Sequence, residues 1–205
     1  MPLQNRVRPD GEIFAIDARG TLMGNRGGRL HINGKRELHS SRRWASRQWI
    51  SCVTQFKGRR RTPMSDNRYT ELFFLDEVTA LAAGHRPCFE CRRSAAVQFA
   101  EIWKHVFHLD QRPKAKDIDR ALHTERLAGR KKWTIRIPFE SLPSGAMAMD
   151  GDRMVAKTEN RALAWSFDGY CEVAPPRGEV DCLTPPAILK VLKGQYSPIW
   201  HPSAT

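Results

Sequence analysis

Between Gln48 and Phe56, apolar and polar side chains alternate around Trp49, Ile50, Val53 and Phe56, the period of a strand with one face buried. A second strand is predicted from Tyr69 to Leu75. Upstream of both, Asn25 to Gly28 predicts a tight turn between short strands, and another hairpin turns at Asn33-Gly34. Asn and Gly accept the positive φ that such turns require. The period then lengthens. Asp76 can cap a short helix running through Val78 to Ala83, which Gly84 ends. From about Cys91, the residues Ala95, Ala96, Phe99, Ile102, Trp103, Val106 and Phe107 recur at helical spacing until Gln111-Arg112-Pro113 breaks the pattern.

That break predicts a boundary within residues 109–116. Beyond it, Lys116 to Ala128 predicts a helix with Ile118, Leu122 and Leu127 inward, stopped by Gly129, and Trp133 to Pro138 predicts a strand. Two hairpins turn at Asp150-Gly151 and Asp168-Gly169. A last helix runs from Ala187 to Lys193, with Thr184 as N-cap, Pro185 at the first helical position and Gly194 at its end. The expected fold class is α+β: a small β-sheet with helices over residues 1–110, then an α+β extension with hairpins over residues 111–205.

Composition narrows the setting. The 205 residues are 40% hydrophobic, enough for a real core in one large domain or two small ones. No 18 consecutive apolar residues occur, and residues 1–8 lack the apolar run of a secretory signal, so a cytoplasmic protein without a membrane partner is expected. The net charge of +12 is unevenly spread: residues 1–61 hold 14 Lys/Arg against 4 Asp/Glu, residues 94–205 only 16 against 13. In the basic part, Arg42, Arg43 and Arg47 alternate with Trp44 and Trp49, and a run including Arg59, Arg60 and Arg61 follows. Cations that neutralise phosphates beside indoles that stack on bases suit nucleic acid, DNA ahead of RNA. The other reading is a solvated basic face over two core tryptophans.

Five cysteines in a reducing compartment point to metal or redox chemistry before disulfides. Cys88-x-x-Cys91 enters a helix, a setting that lets two thiolates share one tetrahedral Zn2+ while the helix N-terminus favours their charge. A thiol pair without metal is the alternative; its usual thioredoxin-like βαβ context is missing.

The segment Phe73-Phe74-Leu75-Asp76-Glu77-Val78-Thr79-Ala80-Leu81-Ala82-Ala83-Gly84-His85-Arg86-Pro87-Cys88-Phe89-Glu90-Cys91-Arg92 resembles the second half of the zinc-binding N-terminal domain of the Ada DNA-repair and methylation-response proteins. His85 stands where that family has an aromatic residue. The resemblance implies an Ada-like zinc module in residues 1–110 and makes Cys52 the third ligand. Of the family's four cysteines one has no counterpart, since Phe56 follows Cys52 by four residues. A fourth ligand must come from elsewhere, His31 ahead of His39 and His85, or the site keeps an open position. The resemblance also implies a possible inheritance of methyl transfer from methylphosphotriesters onto Cys52. Cys171 and Cys182 are expected to be buried core thiols.

Asp119 and His123, four apart on the predicted helix, could form an oriented general base, or simply an exposed helix pair. A deaminase signature is not met, because Pro87-Cys88-x-x-Cys91 precedes rather than follows any His-x-Glu, and no phosphate-binding loop or nucleophile elbow occurs. The expected function is a zinc-stabilised nucleic-acid-binding protein in DNA repair or transcriptional response. Two alternatives stay open: an enzyme using Cys52 as methyl acceptor or an open zinc site for hydrolysis, and an interaction protein whose zinc is purely structural.

Overall fold

The computed structural model describes residues 1–59 and 62–205. The first part of the chain forms β1 (Gln4–Val7), β2 (Ile13–Ala15), β3 (Leu22–Arg26), β4 (Trp49–Val53), β5 (Leu72–Phe74), α1 (Glu77–Ala82), β6 (Arg86–Pro87) and α2 (Arg93–Val106). Then come α3 (Ala115–Arg126), the two-residue strands β7 (Leu127–Ala128) and β8 (Lys131–Lys132), and β9 (Ile135–Pro138). The chain closes with β10 (Met147–Asp150), β11 (Arg153–Lys157), β12 (Ala162–Ser166), β13 (Gly169–Val173), β14 (Glu179–Cys182) and α4 (Pro186–Lys193). The α+β class is as expected.

Two six-stranded sheets carry the fold, in the orders β2-β1-β5-β3-β4-β6 and β13-β12-β11-β10-β14-β9. The second is antiparallel throughout; the first contains two parallel pairs, β1 with β5 and β4 with β6. Helix α1 lies between them, and all six of its residues are buried. Ala80 and Ala83 pack with Leu22, Leu72 and Phe74 of the first sheet, while Val78 and Ala82 pack with Met147, Met154 and Leu163 of the second. Small side chains at these positions let two sheets approach one helix, the physical reason for the alanine-rich segment. Asp76 accepts the Thr79 backbone N–H at 2.8 Å as the predicted N-cap, and Gly84 leaves the helix at φ +85.

The predicted boundary near residue 110 falls between two helices that enter one core. Phe99, Ala100 and Trp103 of α2 share a cluster with Ile118 and Leu122 of α3 and with Ile188, Val191 and Leu192 of α4. Local expectations shift in four places. The turn after Asn25 opens not a hairpin but a long connection, and β3 pairs with β4 across it. The two later hairpin loops are centred on Gly151-Asp152 and Phe167-Asp168, one residue off the predicted turns. Thr184 does not cap α4, because its Oγ1 accepts the Met147 N–H at 2.9 Å; Pro185 takes the N-cap position. Cys171 is exposed on β13, whereas Cys182 is buried.

Candidate metal centre and cleft

The thiols meet because of strand register. Strand β4 alternates its faces, with Trp49 and Ser51 directed inward and Ile50 and Cys52 on the other side, where they line a cleft. Edge strand β6 runs parallel to β4 with Ile50 opposite Arg86 and Ser51 opposite Pro87. An edge tolerates Pro87, which has no N–H for a further neighbour. The next backbone N–H, that of Cys88, donates to the Ser51 carbonyl at 3.0 Å and so sets Cys88 beside Cys52. A turn from Cys88 to Cys91 leads into α2, held by the Arg92 N–H on the Cys88 carbonyl at 3.0 Å.

The result is a group in which the Sγ atoms of Cys52, Cys88 and Cys91 all lie within 4.8 Å of one another. A tetrahedral ion with Zn–S bonds near 2.3 Å needs sulfurs about 3.8 Å apart, so the three thiols can hold a metal with little movement. Proton affinity is divided unequally. Cys88 is pushed down to about 5 because the Cys52 thiol donates to it and the Cys91 and Glu90 backbone N–H groups support its charge. Cys52, donating to Cys88 and buried, is pushed up. Cys91 is raised chiefly by burial, against the support of the Val53 backbone. Cys88 is thus the thiol that most readily gives up its proton, and a cation binding the group would release protons from the thiols.

All three cysteines line one cleft of about 550 Å3, together with Ile50, Phe56, Tyr69 and Phe73 on its apolar walls. Arg59, Glu71 and Glu90 are its Arg and Glu side chains. Arg59 and Glu90 pair at 3.1 Å, both exposed. Glu71 is buried; its Oε2 accepts the Met64 N–H at 2.9 Å and its Oε1 has no hydrogen-bond partner.

His31 does not join the thiols. Its ring is fully buried elsewhere, with Nδ1 2.8 Å from the Thr70 hydroxyl and Nε2 3.1 Å from the Ser65 carbonyl. A carbonyl can only accept, so Nε2 carries the proton and Nδ1 takes the Thr70 hydroxyl, leaving no lone pair for a metal. Among the described residues the group contains no fourth donor. The other two histidines are accounted for as well. His39 is exposed, and His85 is buried edge-on to Phe74 with ring centroids 4.7 Å apart. His85 therefore fills an aromatic role, its Nε2 accepting from Arg26 at 3.4 Å, and burial holds it neutral, its pKa well below the usual value.

Asp119 and His123 do not form a pair. Both Asp119 oxygens take Arg86, at 3.0 and 2.8 Å, in a buried bidentate bridge that ties α3 to β6. His123 instead packs edge-on against Trp44 at 5.4 Å, and burial lowers its pKa. The predicted nucleic-acid side chains divide. Arg42 and Arg47 are exposed; Arg43 binds Glu12; Trp44 is half-buried against His123; Trp49 is buried, with Arg26 and Arg126 over its ring at 4.1 and 4.5 Å. Arg60 and Arg61 lie outside the described residues. A shallow surface groove of about 310 Å3 collects Arg42, Arg43 and Trp44 with Arg130, a residue no local motif had singled out. Its membership depends on the path of the chain after α3, which has no sequence signature.

No family model, curated protein or solved structure matches the chain. No helix among the described residues is long and apolar enough to cross a membrane.

Proposed function

We propose that the protein is a zinc enzyme of the hydrolytic type, in which Cys52, Cys88 and Cys91 hold the ion and one coordination position faces the cleft. One observation carries this reading: all three thiols of the cluster line the same 550 Å3 cleft, where a purely structural centre would be closed by a fourth ligand. Three thiolates with no fourth donor among the described residues is the donor set of a centre that keeps a place for water or substrate. Bound there, Zn2+ would lower the pKa of a bound water and polarise a substrate carbonyl or phosphoryl oxygen. The chain itself supplies the rest. Phe56, Tyr69 and Phe73 offer walls for a planar or apolar group, and Glu71 and Glu90 are the carboxylates within the cleft that can accept a proton.

The test is metal content followed by ligand exchange. Purified protein should carry about one zinc per chain. The cobalt-substituted form should show thiolate-to-metal absorption that shifts when imidazole is added. A folded, metal-free protein refutes the centre, and a spectrum indifferent to imidazole refutes the open position. Methyl gain on the Cys52 peptide after incubation with methylated DNA would instead assign the cleft to the Ada-like methyl transfer.

Nucleic-acid binding is a second reading, favoured by the groove that gathers Arg42, Arg43, Trp44 and Arg130. Fluorescence anisotropy with a labelled single-stranded oligonucleotide should give an affinity that falls steeply with salt, and Arg42→Ala with Arg130→Ala should flatten that dependence. Salt-independent or absent binding removes this reading and leaves the metal centre untouched.

A further inference from the structure

A small part of the basic character is internal: Arg26, Arg86, Arg92 and Arg126 are buried. Beside Trp49 lies a second, much smaller hollow, with about 10 Å3 in which the centre of a water-sized sphere can move. Five cations line it, Arg26, Arg43, Arg126, Arg130 and Lys132, against two carboxylates, Asp10 and Glu12. Both carboxylates are already engaged, Asp10 by Arg8 and Glu12 by Arg43. Among the described residues no carboxylate forms an ion pair with Arg26, Arg126, Arg130 or Lys132.

The two most deeply buried of these cations find neutral acceptors only. Arg26 donates to His85 and to the carbonyls of Gly11 and Arg43. Arg126 donates to the carbonyls of Leu122, Asp119 and Arg47, and its Nη1 has no partner. Lys132 donates to the Ala82 carbonyl. Such acceptors satisfy N–H groups without cancelling charge; Asp10 and Glu12 act on Arg26, and Asp119 and Glu125 on Arg126, only from a distance, so the charge is balanced in part. The strain is visible in proton affinity: burial pushes Arg26 and Arg126 down to about 9, and Lys132 to about 7. The Trp49 face relieves only part of it.

We infer that this hollow is a site for one small monovalent anion of halide size, held by Arg26, Arg126 and Lys132 and covered by Arg43 and Arg130. Two of the five cations come from the loops and strands before α1 and three from the segment at and after the end of α3, so the anion joins parts of the chain that otherwise repel each other.

Thermal unfolding of the full chain in sodium chloride, bromide and gluconate at matched ionic strength tests the site. Chloride and bromide should raise Tm saturably over gluconate, and Arg126→Gln should abolish the difference. Crystals soaked in bromide should show an anomalous peak beside Trp49; a peak among the thiols would instead mark a halide on the metal and overturn the assignment. A Tm set by ionic strength alone, or density in the hollow without anomalous signal, equally refutes it. The soak uses the unaltered chain, so the inference stays testable should Arg126→Gln fail to fold.

Discussion

Replacing Asp119 by Ala removes both acceptors of the Arg86 guanidinium while leaving that cation in place. The bridge is two hydrogen bonds of 3.0 and 2.8 Å between side chains that are 5% and 2% exposed, so water cannot take over. Only the Pro87 carbonyl, at 3.0 Å from Nη1, remains to Arg86. Breaking a buried pair from one side costs about 3–5 kcal/mol, because one charge is left buried alone. At about 2–4 °C per kcal/mol for a chain of this size, Tm should fall by about 6–20 °C. Burial raises the Asp119 carboxyl despite the Arg86 pairing, so desolvation outweighs attraction in this bridge. The double replacement Arg86→Met with Asp119→Leu should therefore lie within about 1–2 kcal/mol of the parent, or above it. Urea denaturation of the parent, Arg86→Met, Asp119→Leu and the double variant gives the coupling directly, and a second cycle pairing Asp119→Ala with His123→Ala should give coupling near zero. An Asp119→Ala cost below about 1 kcal/mol, or a coupling larger with His123 than with Arg86, would refute the reasoning and restore the Asp–His pair.

Other outcomes follow from the same structure. Cys88→Ser should abolish stoichiometric zinc as read by metal analysis, and a chelator should lower the Tm of the parent but not of the variant. His85 is neutral in the fold and ionises near 6.5 when unfolded, so its contribution is complete above that pH. It is lost as pH falls below 6.5 toward the depressed folded value, by up to about 1.4 kcal/mol per unit; denaturation across pH 5–7 should show this slope, and His85→Phe should reduce it by that share, leaving the part that His123 contributes. Gly24→Ala would bring a Cβ to 2.1 Å from the Ile50 carbonyl oxygen and 2.9 Å from the Phe74 ring, and should cost about 1–3 kcal/mol by urea melting. Tyr196→Phe deletes a 2.7 Å hydrogen bond to buried Glu77 and should cost about 1.5–3 kcal/mol in the same assay.

What could be read from the sequence shares a feature: it is short-range. The cap at Asp76, the stop at Gly84, the strand around Cys52 and the helix after Cys91 rest on period and on single-residue chemistry. The failures involve partners far apart in the chain. Spacing put Asp119 on the same helix face as His123, yet its oxygens found Arg86, 33 residues away, a stronger bidentate partner. Thr184 had the chemistry of a cap, yet it was taken by the Met147 N–H. His31 looked free to ligate, but Thr70 and Ser65 use both of its nitrogens.

By itself, then, the sequence determined which residue types could do chemistry and the local structure that carries them: two thiols across a turn into a helix, a third on a strand, and an excess of cations near the N-terminus. Tertiary structure decided their use. The parallel pairing of β4 with β6 is a non-local hydrogen-bond register, and it alone brings Cys52 to Cys88 and turns all three sulfurs toward a cleft. Burial, which depends on every packed neighbour at once, sent Trp49 and Arg26 inside and left Arg42 and Arg47 outside. Local pattern can offer a side chain for a role, but the energy that assigns it comes from contacts between residues distant in the chain.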